Sequence, residues 1–170
     1  MKKEMIIIRG PLGVGKSTIS KRLAQEIGGK YFSVDEILDD KGLAVVDEKL
    51  GCISEASFIR VNDLIVGEVK EWLGKDVPVV VDGNFYHRGQ LDNLVERVDG
   101  KASVFTLVAP LEVCIERDLQ RETPHGEGAA MAVYNLVSAL DVGEKIDVEK
   151  SSIEETVIRL RKDYLNSFTM

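Results

Sequence analysis

Residues 10–17 read Gly-Pro-Leu-Gly-Val-Gly-Lys-Ser, and this segment constrains the fold more than any other part of the chain. It matches the pattern G-x-x-x-x-G-K-[ST] in full, between an apolar run at residues 5–8 and a helical period that follows it. Gly10, Gly13 and Gly15 let the backbone adopt positive φ and approach an anion closely. Successive N–H groups and the start of the helix then form a concave phosphate site. The segment therefore predicts a polyphosphate-binding turn between a strand and a helix.

Two side chains of this phosphate-binding loop, the P-loop, have specific expected roles. The Lys16 ammonium is expected on the β- and γ-phosphates of a nucleotide, and the Ser17 hydroxyl is expected to complete a Mg²⁺ shell. A nucleoside triphosphate and Mg²⁺ are therefore the expected ligands of this loop. The nucleotide-binding residues predicted around the motif are Gly10, Pro11, Leu12, Gly13, Val14, Gly15, Lys16, Ser17 and Thr18.

The rest of the chain alternates short apolar runs with helical periods. Uninterrupted runs at residues 5–8, 77–81 and 102–108, with weaker ones at 30–34 and 144–148, are typical of parallel strands covered on both faces. Apolar residues between the runs recur every three or four positions, as amphipathic helices require. This alternation predicts an α/β fold. The last helical stripe runs from Ile153 to Phe168, after a capping-box pattern of Ser152 and Glu155.

Composition narrows the class of protein. At 170 residues, the chain is expected to form a single domain over residues 1–170. Its net charge of −7 disfavours nucleic acid as a partner, although a local basic groove stays possible. No apolar run is long enough to span a membrane, and no obligate protein partner is evident. Two cysteines are too few for a disulfide framework, so a reduced, cytoplasmic location is expected.

Several classes of nucleotide-binding protein do not fit. A GTPase would carry an Asn-Lys-x-Asp guanine reader, which this sequence lacks. Motor and remodelling ATPases often place adjacent acids after a strand, whereas residues 82–84 here read Asp-Gly-Asn. Two irregular stretches, residues 39–54 and 122–128, have the composition of substrate or lid loops. These features favour a small kinase.

Four segments in order resemble the small P-loop kinases of the zeta-toxin and polynucleotide-kinase-like group, which includes chloramphenicol phosphotransferase. They are the P-loop, Ser-Val-Asp at 33–35, Val-Val-Asp-Gly-Asn at 80–84, and residues 114–121. The resemblance implies a three-layer fold with a five-stranded parallel sheet ordered 2-3-1-4-5 and helices on both faces. It also implies a small lid at 117–130, an acceptor-binding excursion at 39–54, and transfer of the ATP γ-phosphate to a hydroxyl.

Two aspartates follow predicted strands, at the sheet edge where ligands bind in open α/β folds. Asp35 could accept the proton of the acceptor hydroxyl, as the matching aspartate does in the related kinases, or it could cap a helix starting at Glu36. Asp82 could hold a Mg²⁺-bound water, or it could be an ordinary turn residue before Gly83.

Four arginines are candidates for binding anions. Arg117 and Arg121 are four residues apart, on one face of a predicted helix, where they could close over the phosphates or form a solvated face. Arg88 could bind the acceptor or a phosphate, or it could be an ordinary surface arginine. Arg60 resembles, faintly, the acceptor-binding arginine of shikimate kinases. His87 and His125 lie in predicted loops without metal-ligand spacing, so exposure is expected for both.

The segment after the second predicted strand indicates the charge of the phosphate acceptor. Residues 36–42 carry three acids and no arginine, and such a field repels an anionic acceptor. The expected function is therefore ATP-dependent transfer of phosphate to a small hydroxyl compound that is neutral or that carries its charge far from the reacting oxygen. A polynucleotide 5′-hydroxyl or nucleotide kinase, a shikimate-kinase-like enzyme and a non-catalytic ATP-binding module remain alternatives. The acceptor's identity, the preference for ATP over GTP and the oligomeric state are not readable from the sequence.

Overall fold

The computed structural model describes residues 4–99 and 102–166, and a five-stranded parallel sheet forms its centre. The strands of this sheet are β1 (Met5–Arg9), β2 (Lys30–Ser33), β5 (Val79–Gly83), β6 (Ala102–Val108) and β7 (Glu144–Asp147). Their spatial order is β2-β5-β1-β6-β7, which is 2-3-1-4-5 when only these five are counted along the chain. The predicted strand order is confirmed. In β1, Met5 pairs with Val79 of β5 on one side and with Ala102 of β6 on the other.

Helices connect the strands and cover the sheet. A separate two-stranded hairpin, β3 (Val46–Asp47) and β4 (Cys52–Ile53), lies within the polar excursion at 39–54. The helices are α1 (Lys16–Glu26), α2 (Val34–Asp40), α3 (Glu55–Gly74), α4 (Arg88–Arg97), α5 (Leu111–Leu119), α6 (Glu127–Ala139) and α7 (Ile153–Asn166). None of the helices in residues 4–99 and 102–166 is both long and apolar enough to cross a membrane.

The core has two halves, one on each face of the sheet. Successive residues of a strand point to opposite faces. Met5 and Ile7 therefore pack on one side with Val61 of α3, whereas Ile6 and Ile8 pack on the other with residues of α1 and α7. All five residues of β1 are buried, as are those of β5. This burial on both faces explains why the strands read as uninterrupted apolar runs.

Two helix starts test the sequence-based expectations. Helix α2 begins at Val34, and its N-cap is Ser33, whose Oγ accepts a hydrogen bond from the Glu36 backbone N–H. The alternative in which Asp35 caps a helix starting at Glu36 is therefore wrong. At α7 the capping box is confirmed, because Ser152 Oγ accepts from the Glu155 N–H while Glu155 Oε2 accepts from the Ser152 N–H. Phe168, placed on the same stripe, lies outside the described residues.

The segment between α5 and α6 differs from the prediction in one respect. Helix α5 ends at Leu119, so Arg121 lies beyond it, in the loop at 120–126. The expectation that Arg117 and Arg121 share one helix face is wrong, because the chain turns after Gln120 instead of continuing the helix. The loop carries Arg121 towards the P-loop all the same, since both residues line one cavity.

Candidate active site

The P-loop turns through two glycines in conformations that other residues avoid. Gly13 has φ 77° and Gly15 has φ 100°. A Cβ on Gly13 would overlap the carbonyl oxygen of Cys114, so the turn also packs closely against α5. Gly10 is different: its φ is not positive, and it is needed because a Cβ there would lie 2.8 Å from Val14 Cγ1 and 3.0 Å from the Leu107 carbonyl oxygen. The first turn of α1 contains no acidic residue that would oppose an anion.

Lys16 is buried at the start of α1, and its ammonium lies over the mouth of the loop. Its Nζ donates hydrogen bonds to the Pro11 carbonyl oxygen at 2.9 Å and to Asn84 Oδ1 at 3.1 Å. The same Nζ is 4.0 Å from Asp35 Oδ2. Burial lowers the pKa of Lys16, and the charges of Asp35 and Asp82 oppose that shift. The sequence did not point to Asn84, which fixes the lysine by a contact between residues 68 positions apart.

Asp35 follows β2 at the carboxyl edge of the sheet, and its side chain is mostly buried, with 32% of its surface exposed. Its Oδ1 accepts a hydrogen bond from the Asn84 backbone N–H at 3.5 Å. Burial of its carboxyl raises the pKa of Asp35, although the Lys16 charge acts in the opposite direction. A carboxylate with a raised pKa is a better proton acceptor than an ordinary one. The arrangement thus places a carboxylate of raised proton affinity beside a buried ammonium group.

Asp82 ends up fully buried behind the P-loop, on β5. Its Oδ2 accepts a hydrogen bond from the Tyr31 hydroxyl at 2.8 Å, whereas its Oδ1 has no hydrogen-bond partner in the described part of the chain. Burial raises the pKa of Asp82 to about 6, against the opposing effects of Lys16 and Tyr31. The Ser17 hydroxyl also interacts with the Tyr31 phenol, so Ser17 and Asp82 converge on the same group.

These two residues fit a Mg²⁺ ion bound through water and phosphate. An unpartnered buried carboxylate oxygen is a suitable acceptor for a metal-bound water, and a hydroxyl is a usual direct ligand at this position of the loop. Among residues 4–99 and 102–166, no three His, Cys, Asp or Glu side chains cluster as a metal cage. Mg²⁺ would therefore depend on the nucleotide for most of its ligands, with Ser17 and Asp82 as the protein's contribution.

One cavity of about 390 Å³ gathers most of the predicted site residues. It joins the P-loop to the end of β2 and to the loop after α5. Ser17 and Thr18 contribute hydroxyls to its walls, and the charged lining consists of three cations and three carboxylates: Lys16, Arg117, Arg121, Asp35, Glu36 and Asp39. We call it the donor cavity. The three cations are the groups that could bind a polyanion there.

Arg117 bridges two loops at one side of this cavity. Its guanidinium donates to the Val14 carbonyl oxygen at 3.4 Å and to the Val148 carbonyl oxygen at 3.3 Å. A neighbouring cavity of about 230 Å³ lies between the same two loops, with Thr18, Arg117 and Ile153 in its walls. Arg117 thus borders both spaces, and its side chain is already oriented by the backbone.

A buried carboxylate that the sequence did not single out organises the loop between α5 and α6. Asp118 Oδ2 accepts from the backbone N–H groups of His125 and Gly126, both at 3.0 Å, and its Oδ1 lies 2.8 Å from His125 Nδ1. Burial acts to raise the pKa of Asp118, but these hydrogen bonds outweigh it and hold the pKa below its ordinary value. His125 is exposed, as expected, and it also lines the donor cavity.

Arg9 anchors the other end of α6 and was also missed by sequence reasoning. It is fully buried at the end of β1. Its guanidinium donates to the carbonyl oxygens of Val137 and Leu140, each at 2.9 Å, and to Thr106 Oγ1 at 3.1 Å. Burial lowers its pKa to about 10, with the charge of Asp141 opposing. Helix α6 is thus held to the sheet at its C-terminal end and to Asp118 at its N-terminal end.

A second cavity, of about 250 Å³, opens on the other side of Asp35, and we call it the acceptor-side cavity. It lies between α2, the β3–β4 hairpin and α6. Asp35 and His125 line both cavities, so the two spaces meet at these side chains. The polar excursion at 39–54 does contribute to this wall, through Asp39, Ala44, Val46, Gly51, Cys52 and Ile53.

Two predicted substrate-binding arginines lie apart from both cavities. Arg88 begins α4 and pairs with Asp92 at the surface, 3.3 Å from Nε to Oδ2, and it lines neither space. Arg60 is exposed on α3 and is also absent from both walls. His87 is not exposed as expected: it is partly buried, and its Nε2 lies 2.8 Å from the Ile53 carbonyl oxygen.

Comparison with known proteins agrees with this geometry. Residues 5–138 match the family described as AAA domain, and the chain belongs to that family. It is 31% identical over 72 residues to a shikimate kinase of Actinobacillus succinogenes, a match that spans 42% of this chain and 41% of that protein. It is 32% identical over 130 residues to the adenylate kinase of Thermus thermophilus, across 72% of this chain and 68% of the relative.

A solved structure supports the fold independently. A sugar kinase from Janibacter sp. HTCC2649 superposes with a TM-score of 0.74 at 18% identity, over 96% of this chain and 95% of that one. The fold of this AAA-domain protein is therefore that of small kinases. The narrower resemblance to the zeta-toxin and chloramphenicol-phosphotransferase group stays a prediction.

Proposed function

We propose that this member of the AAA-domain family is a kinase that transfers the γ-phosphoryl group of ATP to a hydroxyl of a small molecule. The observation that carries the proposal is the position of Asp35. Its carboxylate lies 4.0 Å from the Lys16 ammonium and borders both the donor cavity and the acceptor-side cavity. A proton acceptor at the junction of two cavities, beside a phosphate-binding cation, is the arrangement that phosphoryl transfer to a hydroxyl requires.

The donor side binds and polarises the phosphates. The amides of the P-loop and the N-terminus of α1 would hold the β-phosphate, and Lys16 would bridge the β- and γ-phosphates. Arg117 and Arg121 line the same cavity and would stabilise the charge that spreads over the outer oxygens of the transferring group. Mg²⁺, held through Ser17 and Asp82, would neutralise the charge between the phosphates. Stabilisation of this kind lowers the barrier only if the groups are held in place beforehand.

In the proposed transfer step, Asp35 accepts the proton of the acceptor hydroxyl. The acceptor oxygen forms a bond to the γ-phosphorus, the bond from that phosphorus to the β–γ bridging oxygen breaks, and ADP leaves with that oxygen. The hydroxyl proton passes to the Asp35 carboxylate and returns to water after product release. The raised pKa of Asp35 supports this role, since the carboxylate has a higher proton affinity than usual.

The nucleoside has a suitable space beside Arg117. The cavity of about 230 Å³ between the P-loop and the segment after β7 adjoins the start of α1, where the phosphates would sit. Its walls include Ile19 and Ile153, which could contact the faces of a base. We propose ATP as the donor and a cytoplasmic location. The buried, unpaired cysteines Cys52 and Cys114 support a reducing compartment.

The proposal is tested by ADP release with MgATP over a panel of sugars, nucleosides, aminoglycosides, shikimate and a 5′-hydroxyl oligonucleotide. We expect at least one acceptor to raise ADP release well above the rate in water, and ³¹P NMR to show a new phosphate ester. Normal ATP binding with no stimulation by any acceptor would instead support a non-catalytic ATP-binding module. Phosphorylation of the oligonucleotide alone would assign the enzyme to nucleic-acid ends.

A further inference from the structure

The acceptor-side cavity has walls of a chemistry that selects among hydroxyl compounds. We propose that the acceptor is an uncharged alcohol with a mainly apolar body, such as an aryl or alkyl alcohol. This inference rests on the proposed function and narrows it to a substrate class. Most of the walls are apolar and come from four separate segments of the chain: Leu12, Leu38, Val46, Ile53, Val133 and Leu136. Such walls stabilise an apolar body by removing its surface from water.

The charges of the cavity exclude an anionic acceptor. Its walls contain the carboxylates of Asp35 and Asp39, and no lysine or arginine of the described residues lines it. Lys16 does not line this cavity, and its ammonium already donates hydrogen bonds to the Pro11 carbonyl oxygen and to Asn84 Oδ1. A carboxylate or phosphate on the acceptor would therefore meet two like charges without a partner, in a partly desolvated space.

The polar groups of the cavity are concentrated at one end. Asp35 and His125 also line the donor cavity, and Asn84 lies beside them, bonded to Lys16. The Tyr86 hydroxyl oxygen is occupied in part, because it accepts a hydrogen bond from the Ile53 N–H at 3.2 Å. One hydroxyl of the acceptor can thus be paired at the donor end. Further hydroxyls, as in a sugar, would face apolar walls and lose their hydrogen bonds to water.

An exposed side chain of the β3–β4 hairpin also favours an apolar acceptor. Val46 lines the cavity and is 56% exposed. An apolar ligand in the cavity would cover this aliphatic side chain and remove its surface from water.

The test uses two acceptors that differ at one group, which is a methyl ester in one and a carboxylate in the other. Methyl 4-(2-hydroxyethyl)benzoate and 4-(2-hydroxyethyl)benzoate carry the same primary hydroxyl on the same aryl body, and glucose serves as a neutral polyol. We expect kcat/KM for phosphorylation of the methyl ester to exceed that of the carboxylate and of glucose by about tenfold or more. A preference for the carboxylate or for glucose would overturn the inference and leave the proposed kinase function intact.

A variant that adds a cation to the wall sharpens the test. Ala132 lines the cavity from α6 and is exposed enough for Ala132→Lys to be accommodated in the helix. In this variant we expect the ratio of kcat/KM between the carboxylate and the ester to rise by about tenfold, through KM. Met131→Lys is the matched control, since Met131 is exposed next to it but lies outside both walls, and its ratio should stay that of the wild type. An equal change in both variants would contradict the assignment of the cavity.

A binding measurement distinguishes failure of the inference about the acceptor from failure of the proposed kinase function. Saturation-transfer NMR with a non-hydrolysable ATP analogue and Mg²⁺ present should show the ester bound to the wild type and to Met131→Lys, with a weaker signal in Ala132→Lys. If the ester binds in this way but no acceptor of any class is phosphorylated, the kinase function is wrong and the ligand class of the cavity stands. Absence of ester binding together with turnover of polar acceptors would overturn the ligand class alone.

Discussion

The two cavities on either side of Asp35 differ in charge and in how the chain builds them. The donor cavity contains three cations, Lys16, Arg117 and Arg121, beside three carboxylates, whereas the acceptor-side cavity contains two carboxylates, no described lysine or arginine, and mostly aliphatic walls. Such a division favours a polyphosphate on the donor side over the acceptor side. Among the described carboxylates, Asp35 is the one that forms an ion pair with Lys16, at 4.0 Å.

The division also has a structural origin. The donor cavity is built around a contiguous motif on the first strand–helix connection, and its geometry follows from local rules for glycine and helix termini. The acceptor-side cavity is assembled from α2, the β3–β4 hairpin and α6, which the chain brings together only through tertiary packing. Variants on the two sides should therefore have separable effects, and the predictions below test that separation.

The largest effect is expected on the donor side. Lys16→Ala removes the buried ammonium that would bridge the phosphates, and we expect kcat/KM for ATP to fall by more than about 10³-fold. The measurement is steady-state ADP release with the acceptor that the panel identifies, together with ATP binding by calorimetry. Both transfer and binding should weaken, since the proposed mechanism has Lys16 contact the phosphates before and during the reaction.

Lys21→Ala is the matched control for that variant. Lys21 lies on the same helix but is half-exposed and pairs with Glu36 at the surface. Its kinetics should stay close to those of the wild type, and circular dichroism should show both variants folded. Wild-type turnover in a folded Lys16→Ala would refute the assignment of the donor cavity.

Asp35→Asn tests the junction between the cavities. It removes the proton acceptor but keeps the shape of the side chain, so kcat should fall by about 10²- to 10³-fold while ATP affinity changes little. Steady-state kinetics and calorimetry on the same preparation separate the two effects. Asp40→Asn, at an exposed position of α2 outside both cavities, should behave as the wild type. A large loss of ATP affinity in Asp35→Asn would show that Asp35 serves the nucleotide instead.

Asp82→Asn tests the metal side of the donor cavity through stability. Asp82 is fully buried and its pKa is raised to about 6, mainly by desolvation, from 3.8. Between these two pH values the folded chain binds more protons at this site than the unfolded chain, so the site loses stability as pH rises. In the absence of nucleotide and Mg²⁺, the free energy of unfolding of the wild type should fall by roughly 3 kcal/mol relative to Asp82→Asn between pH 3.5 and pH 7.

Denaturant unfolding of both proteins across that pH range provides the measurement. Saturating MgATP should reverse the difference at pH 7, because the ion is expected to favour the ionised Asp82. If the two proteins unfold with parallel pH profiles, Asp82 is not the buried, proton-binding carboxylate described above. The Mg²⁺ assignment would then lose its main support.

The sequence predicted the fold and the donor side well, because both depend on local signals. Apolar runs located every strand of the main sheet, and the P-loop motif located Lys16 and the glycines that shape the turn. The strand-end position of Asp35 was informative for the same reason, since parallel strands end at one edge of a sheet. Arg121 was placed on a helix because its spacing from Arg117 fits one, whereas the chain turns after Gln120.

The residues that sequence reasoning missed make contacts that no local sequence pattern predicts. Arg9 binds carbonyl oxygens 128 and 131 positions away, and Asn84 orients Lys16 across 68 positions. Asp118 and His125 are seven apart, across a loop that no helical or strand period describes. The apolar walls of the acceptor-side cavity were not predicted for the same reason. Residues 39–54 were interpreted as a polar segment, although aliphatic side chains of the hairpin line the cavity. These walls form only where the hairpin and α6 come together in the folded chain.

The smallest effect is expected at Asp118, which is connected to both cavities through one loop. Its hydrogen bonds hold His125, and His125 lines both spaces, so Asp118→Asn should change the KM for ATP and for the acceptor together, with about a tenfold loss in kcat/KM. Replacing the ionised Asp118 carboxylate, which accepts these hydrogen bonds, should also lower the free energy of unfolding by about 1 to 2 kcal/mol at pH 7. Because the pKa of Asp118 is lowered in the folded chain, this advantage of the wild type should disappear as pH falls below 4, and denaturant unfolding at pH 7 and pH 3 measures it. A change confined to one KM would show that the loop serves a single cavity, and the two halves of the site would then be more independent than the shared position of His125 indicates.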